Sequence, residues 1–175
     1  MDTFTTIKNG GEGLYKEKGS KFIALAFHVE TAEQALDIVA ATRKKYFDAR
    51  HVCFAYMLGA ERNVFRANDD GEPSGTAGKP ILGQINSTGL TDVLIIVIRY
   101  FGGILLGTGG LIVAYKSAAA DAIRNSETEE KVVETIVRIK CGYDALNYVM
   151  KAIKDCQGRV VRQRQEMDCL FTIAL

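Results

Sequence analysis

The chain has 175 residues, 47% hydrophobic and 25% charged. These proportions exclude a disordered, collagen-like or coiled-coil protein and leave room for one ordinary domain or two small ones. Lys plus Arg number 22 against 21 Asp plus Glu, a formal +1, so any attraction to nucleic acid or anionic membrane must come from a local patch. The longest apolar run of strand character, Leu94 to Ile98, is far short of the roughly 20 residues that span a bilayer. The amino terminus carries neither a basic leader nor an apolar stretch, and Cys53, Cys141, Cys156 and Cys169 form no C-x-x-C pair. That pattern predicts reduced thiols in a cytoplasmic protein, with no membrane contact and no zinc ribbon.

The first element predicted is a strand over Lys21 to Val29, with Ile23, Leu25, Phe27 and Val29 at period two. Thr31 and Gln34 have capping-box spacing, and a helix to about Tyr46 follows with Leu36, Val39 and Ala40 on one face. His51 to Leu58 reads as a strand apolar on both faces, and a short strand around Val64 and Phe65 leads into the loop 68–80. Pro80 suits the first turn of a helix over about Ile81 to Thr88. Asp92 to Tyr100 is a β-branched run typical of a central strand. The loop 101–110 then opens a helix from about Leu111 to Arg124. The order is β-α-β-β-α-β-α for residues 1–125.

Residues 125–131 are polar and aperiodic, which places a linker over 126–133. A second unit over 134–175 reads β-α-β-β: a strand over 134–141, a helix capped by Asp144 with Leu146, Val149, Met150 and Ile153 on one face and Gly158 as its stop, then strands over Arg159 to Gln165 and Met167 to Leu175. Three strands and one helix make a thin core, so the chain is expected to continue past Leu175.

Ten of the 17 glycines fall between positions 71 and 110, where backbone must turn tightly or approach a partner. Known templates fail there. A P-loop needs glycine at Pro73 and a hydroxyl at Pro80, and G-x-G-x-x-G needs glycine at Ile112. What survives is an anion site at Gly109 and Gly110, ahead of a helix whose free N–H groups favour negative charge. An EF-hand register would put Arg66 and Ala77 at ligand positions, so Asp69, Asp70 and Glu72 are expected to cap turns and no metal is implied. Ser74 lacks the glycines of a nucleophile elbow. His51 and Cys53 share a strand face, but a lone cysteine on an apolar strand usually packs the core. Arg43, Lys44 and Lys45 at a helix end complement its dipole. Arg99 and Tyr100, closing a buried strand beside the glycine-rich loop, could join Lys21, Arg50, Lys79 and Lys116 in a patch for phosphate and base stacking.

Four blocks together resemble the YigZ/IMPACT family: Lys21-Phe-Ile, residues 48–56 around Arg50 and His51, residues 69–80, and residues 99–111 followed by Ala114-Tyr115. The resemblance implies an α+β protein of two α/β-sandwich domains. The first would have the fold of a small-subunit ribosomal protein's second domain, and the second would be ferredoxin-like, similar to the last domain of elongation factor G and incomplete here. It also implies a link to translation control, although the kinase-pathway role of eukaryotic members depends on an additional domain and is not expected to carry over. The shared surface would comprise Asp69, Asp70, Glu72, Ser74, Thr76, Lys79, Arg99, Tyr100, Phe101, Gly102, Gly103, Gly107, Gly109 and Gly110, with Lys21, Arg50, His51 and Tyr115 from the other blocks.

The leading expectation is therefore a non-catalytic binding protein without a cofactor, contacting RNA, the ribosome or a translation-associated protein through the glycine-rich face. The alternatives are an enzyme acting on a small phosphorylated or nucleotide substrate through Asp69, Asp70 or Glu72, and a protein-interaction module without nucleic acid.

Overall fold

The computed structural model describes residues 2–175, and contacts divide them into two compact units, 2–131 and 132–175. In the first unit, ten elements follow one another: β1 (Thr3–Asn9), β2 (Glu12–Glu17), β3 (Ser20–His28), α1 (Ala32–Lys45), β4 (His51–Leu58), β5 (Val64–Asn68), α2 (Gly78–Thr88), β6 (Val93–Tyr100), α3 (Gly107–Arg124) and β7 (Glu127–Val132). The order β-α-β-β-α-β-α is present as β3 to α3. Two strands precede it that period-two reading did not detect, because β1 and β2 carry few apolar residues and are buried only at Thr6, Ile7 and Gly13.

Five strands form one sheet in the order β2-β3-β6-β4-β5, with every pairing antiparallel. β6 lies at its centre. Because side chains alternate across a strand, each central strand supplies two cores. Cys53, Ala55, Met57, Val93, Ile95 and Val97 pack with Ile81 and Ile85 of α2 and Ala114, Tyr115 and Ala118 of α3. On the other face Val52, Phe54, Tyr56, Leu94, Ile96 and Ile98 pack with Ala35 and Val39 of α1. A strand covered on both faces must be apolar at every position, which is why β6 reads as a continuous run.

The helices start and stop for identifiable reasons. The Thr31 hydroxyl accepts from the Gln34 amide at 3.1 Å, while the Gln34 side chain accepts from the Glu30 amide at 2.9 Å, one residue earlier than a standard capping box. The buried face of α1 is Ala35, Val39 and Thr42, so Leu36 and Ala40 point outward, contrary to expectation. α2 begins at Gly78 rather than Ile81, with Pro80 in its first turn. α3 begins at Gly107, four residues early: Gly107 to Gly110 are its first turn, not a loop before it.

The division between the two units falls after Lys131, inside the stretch 126–133, but most of that stretch is strand rather than loop. Residues 127–132 form β7, which pairs with β1. Lys8 Nζ lies 2.8 Å from Glu127, and the Asn9 amide donates to the same carboxylate at 2.6 Å. A strand held by polar cross-strand pairs shows no apolar periodicity.

The second unit contains β8 (Ile136–Cys141), a 3-10 turn, α4 (Leu146–Asp155), β9 (Arg159–Gln165) and β10 (Cys169–Ala174), with strand order β8-β10-β9. Its core is Ile153, Cys169, Phe171 and Ile173, packed by Val137, Ile139, Leu146 and Val149. Met150 is 41% exposed rather than inward. Asp144 falls in the 3-10 turn and makes no cap bond to α4, and the left-handed residue ending the helix is Gln157 (φ +55°), while the Gly158 amide donates to the Ile153 carbonyl. Among the described residues no helix is long and apolar enough to cross a membrane.

Candidate functional site

The ends of β4 and β6, the loop 69–77 and the start of α3 surround a cavity of about 290 Å³, at the small end of the size range for small-molecule sites. Its lining includes Arg50, His51, Glu72, Pro73, Arg99, Phe101, Leu105, Leu106, Gly107, Thr108 and Leu111. Six of the expected site residues, Arg50, His51, Glu72, Arg99, Phe101 and Gly107, line it, and β4–β6 pairing brings two of them together, since His51 stands opposite Arg99 in the register.

The floor is a buried ion pair. Glu72 and Arg99 are 8% and 5% exposed. Glu72 Oε1 accepts from Arg99 Nη1 at 2.6 Å and from the Tyr115 hydroxyl at 2.7 Å, while its Oε2 is 3.7 Å from His51 Nε2. Tyr115 is fully buried, edge-on to Phe22 at 5.1 Å, and burial pushes its hydroxyl far up, so it stays a donor. It has no surface to offer a ligand; it positions Glu72. His51 Nδ1 lies 2.7 Å from the Asp70 carbonyl and must donate to it, which directs Nε2 towards the cavity. Arg99 Nε is buried with no partner among the described residues.

The rim is aromatic and cationic. The Arg50 and Arg99 guanidinium groups each lie 5.5 Å from the centre of the Phe101 ring. From the far side comes the amino end of α3, whose Leu106 cap supplies no side-chain bond, leaving first-turn amides free to face a ligand. Gly107 opens this turn at φ +72°, a left-handed conformation that suits glycine. Gly102 is required by close approach, for a Cβ there would lie 2.0 Å from the Gly19 carbonyl carbon.

The acidic loop is structural except at Glu72. Asp69 accepts from the amides of Gly75, Ala77 and Gly78 at 2.8, 3.1 and 2.8 Å, closing the loop onto α2. Burial works to raise its pKa, but these amides and nearby Lys79 outweigh it and hold the carboxyl below its ordinary range. Asp70 accepts from the Val52 amide at 2.6 Å and pairs with Arg43 at 2.5 Å; Asn68 accepts from its amide in an Asx-turn. Thr76 donates to the Pro73 carbonyl at 2.6 Å. Capping, the expected role of this cluster, describes Asp69; Asp70 instead ties the loop to β4 through the Val52 amide and to α1 through Arg43.

Other expected residues lie elsewhere. Tyr100 and Lys21 pair with each other across β6 and β3, on the sheet face opposite Arg99, because neighbours on a strand point to opposite sides. Tyr100 instead donates to Asp48 at 2.9 Å. Ser74 and Lys79 are exposed outside the cavity, and Gly103, Gly109 and Gly110 do not line it. Cys53 lies in the core below His51, donating to the Asp69 carbonyl at 3.0 Å, and burial pushes its thiol well up, a setting that disfavours the thiolate. Pro73, Leu105, Leu106 and Leu111 escaped sequence reading, since an apolar wall carries no chemical signature, and so did Thr108, a single hydroxyl among loop glycines.

The sequence profile of the Impact N-terminal domain matches residues 18–123. The IMPACT family member YigZ of Escherichia coli is 37% identical over 160 residues, covering 90% of this chain and 78% of that protein. The IMPACT family member YvyE of Bacillus subtilis is 34% identical over 157 residues, covering 90% and 72%. A crystal structure described as that of an hypothetical protein superimposes with a TM-score of 0.85 at 34% identity, covering 100% of this chain and 86% of that one.

Proposed function

This chain belongs to the IMPACT family, and we propose that it is a translation-linked binding protein that holds RNA at the cavity between β6 and α3. The family's implied link to translation control supports the setting. The observation that carries the ligand class is the partly exposed Phe101 ring, with the Arg50 and Arg99 guanidinium groups each 5.5 Å from its centre, in the cavity that the amino end of α3 also lines. An aromatic face accepts a base of any sequence, while guanidinium and helix amides accept phosphate. The chain's charge is near balance, so attraction to RNA must come from local cationic groups such as Arg50 and Arg99 rather than from a global field.

Titration of a fluorescent structured RNA from about 50 to 200 mM salt tests the reading, because phosphate contacts weaken steeply over that range. Saturable, salt-steep binding that weakens several-fold in Arg50→Ala and Phe101→Ala is expected. Absent binding, or binding untouched by either substitution, overturns it.

A second reading, an enzyme acting on a small phosphorylated substrate, is favoured by one observation: His51 Nε2 and Glu72 Oε2 face each other at 3.7 Å in the cavity. With Asp69 and Asp70 committed to backbone amides, Glu72 would be its acid or base. Turnover of a phosphate ester abolished by Glu72→Gln would establish it; binding without turnover leaves the first reading in place.

A further inference from the structure

The cavity's polar groups are arranged for an anion more compact and more highly charged than a phosphodiester running through a groove. Arg99 is 5% exposed, and its Nε has no partner among the described residues although its Nη1 is bonded to Glu72. A buried guanidinium donor left unmatched is costly, and this one belongs to a side chain lining the cavity. The first residues of the 18-residue α3, Gly107 and Thr108, line the same cavity, adding free amides and the Thr108 hydroxyl. Arg50 supplies a second guanidinium at the rim. Against these donors stands one carboxylate, Glu72, already shared by Arg99 and Tyr115. Two guanidinium groups, one carboxylate and a positive helix end leave a net positive site.

The remaining surface is apolar: Pro73, Leu105, Leu106 and Leu111, with the Phe101 ring at the mouth. A bare inorganic anion would leave those walls unused. A phosphodiester has two free oxygens and one charge, whereas a phosphomonoester presents three acceptor oxygens and close to two charges near neutral pH. We infer that the cavity recognises a nucleotide's terminal phosphomonoester, with the phosphate between Arg99, Arg50 and the α3 amides and the base on Phe101. The inference rests on this cavity being the functional site, and it narrows the RNA reading from backbone contact to the phosphate-bearing end of a strand or a free mononucleotide.

The test uses the full chain with adenosine 5′-monophosphate, adenosine and inorganic phosphate, following amide resonances. The monophosphate should saturate and shift Gly107 and Thr108. Adenosine should bind about tenfold to a hundredfold more weakly, the loss of one or two charge-assisted hydrogen bonds, and inorganic phosphate should also be weaker. Arg50→Ala and Phe101→Ala, both at the rim, should each weaken the monophosphate while the rest of the spectrum stays folded. Equal binding of adenosine and its monophosphate, no binding of either, or shifts confined to other residues overturns the inference. Competition by short RNA oligonucleotides separates the sources. Displacement by 5′- or 3′-phosphorylated strands but not by hydroxyl-ended ones assigns the site to RNA ends. If the monophosphate binds and no oligonucleotide displaces it, the ligand is a free nucleotide and the RNA reading fails alone. RNA binding that the monophosphate does not compete for, and that ignores end phosphorylation, sinks this inference and leaves that reading intact.

Discussion

Arg99 combines two roles that pull its substitutions in different directions. It lines the cavity, yet it is also the counter-charge of a carboxylate that is 8% exposed. Removing it leaves Glu72 charged and buried, and breaking such a pair costs about 3 to 5 kcal/mol. Arg99→Ala should therefore lower the urea midpoint sharply, and its loss of ligand would be uninterpretable alone; Arg99→Ala with Glu72→Gln should recover a large part of the stability. An unchanged midpoint in the single variant would show that the pair is not the buried anchor described here.

Asp69 gives the acid side of the stability profile. Its folded pKa is depressed below the ordinary 3.8, so its contribution is present above that value and is lost as pH falls through the lower, folded one. Acid unfolding should accordingly steepen below about pH 4. In Asp69→Asn, which keeps one acceptor but not the charge, stability should be lower at neutral pH and less dependent on acid. A profile in that variant parallel to the parent's would remove Asp69 as the titrating cap.

Among the elements, the connection from β6 to α3 matters most, for it sets Phe101 and the helix amides on opposite sides of one cavity. Its path is fixed where Gly102 passes the turn between β2 and β3. The Gly102 amide donates to the Ser20 hydroxyl at 3.1 Å, and no Cβ fits there. Gly102→Ala should displace the loop, reduce ligand affinity several-fold and leave the β4 and β6 amides protected from exchange. Full affinity in that variant would mean the loop does not place Phe101. The glycine cluster was legible as a place of close approach or turning, but not which glycine met which backbone. That depends on the β2–β3 turn, more than 80 residues away in sequence.

For the whole molecule, a large first unit with a core on each face of its sheet and a small second unit with one core predict unequal protection. Cys156 is exposed, Cys169 is buried in the small second core, and Cys53 is buried in the larger first one, where burial also holds its thiol protonated. A thiol reagent followed by mass spectrometry should label Cys156 first, half-buried Cys141 next, then Cys169, and Cys53 last, since buried thiols react through opening. Simultaneous labelling of Cys53 and Cys169 would mean that the two units open as one. The register also sets Cys141 opposite Cys169, a juxtaposition that 27 intervening residues conceal in the sequence.

The chain's order of strands and helices from β3 to α3, its two-faced central strand and its family were determined by sequence alone. Local periodicity, caps and contiguous motifs are short-range properties, readable within a window of about a dozen residues. The tertiary structure decided which candidates share a site. Arg99 and Tyr100 are neighbours in sequence but belong to opposite sheet faces, whereas His51, Glu72 and Arg99 meet only because β4 pairs with β6 and the Asp69-capped loop folds over their ends. It also decided that 127–132 is a strand, since its partner β1 lies at the other end of the unit. Long-range pairing and burial are cooperative properties of the folded chain, so a carboxylate that caps a loop and one that lines a cavity look the same until the sheet is assembled.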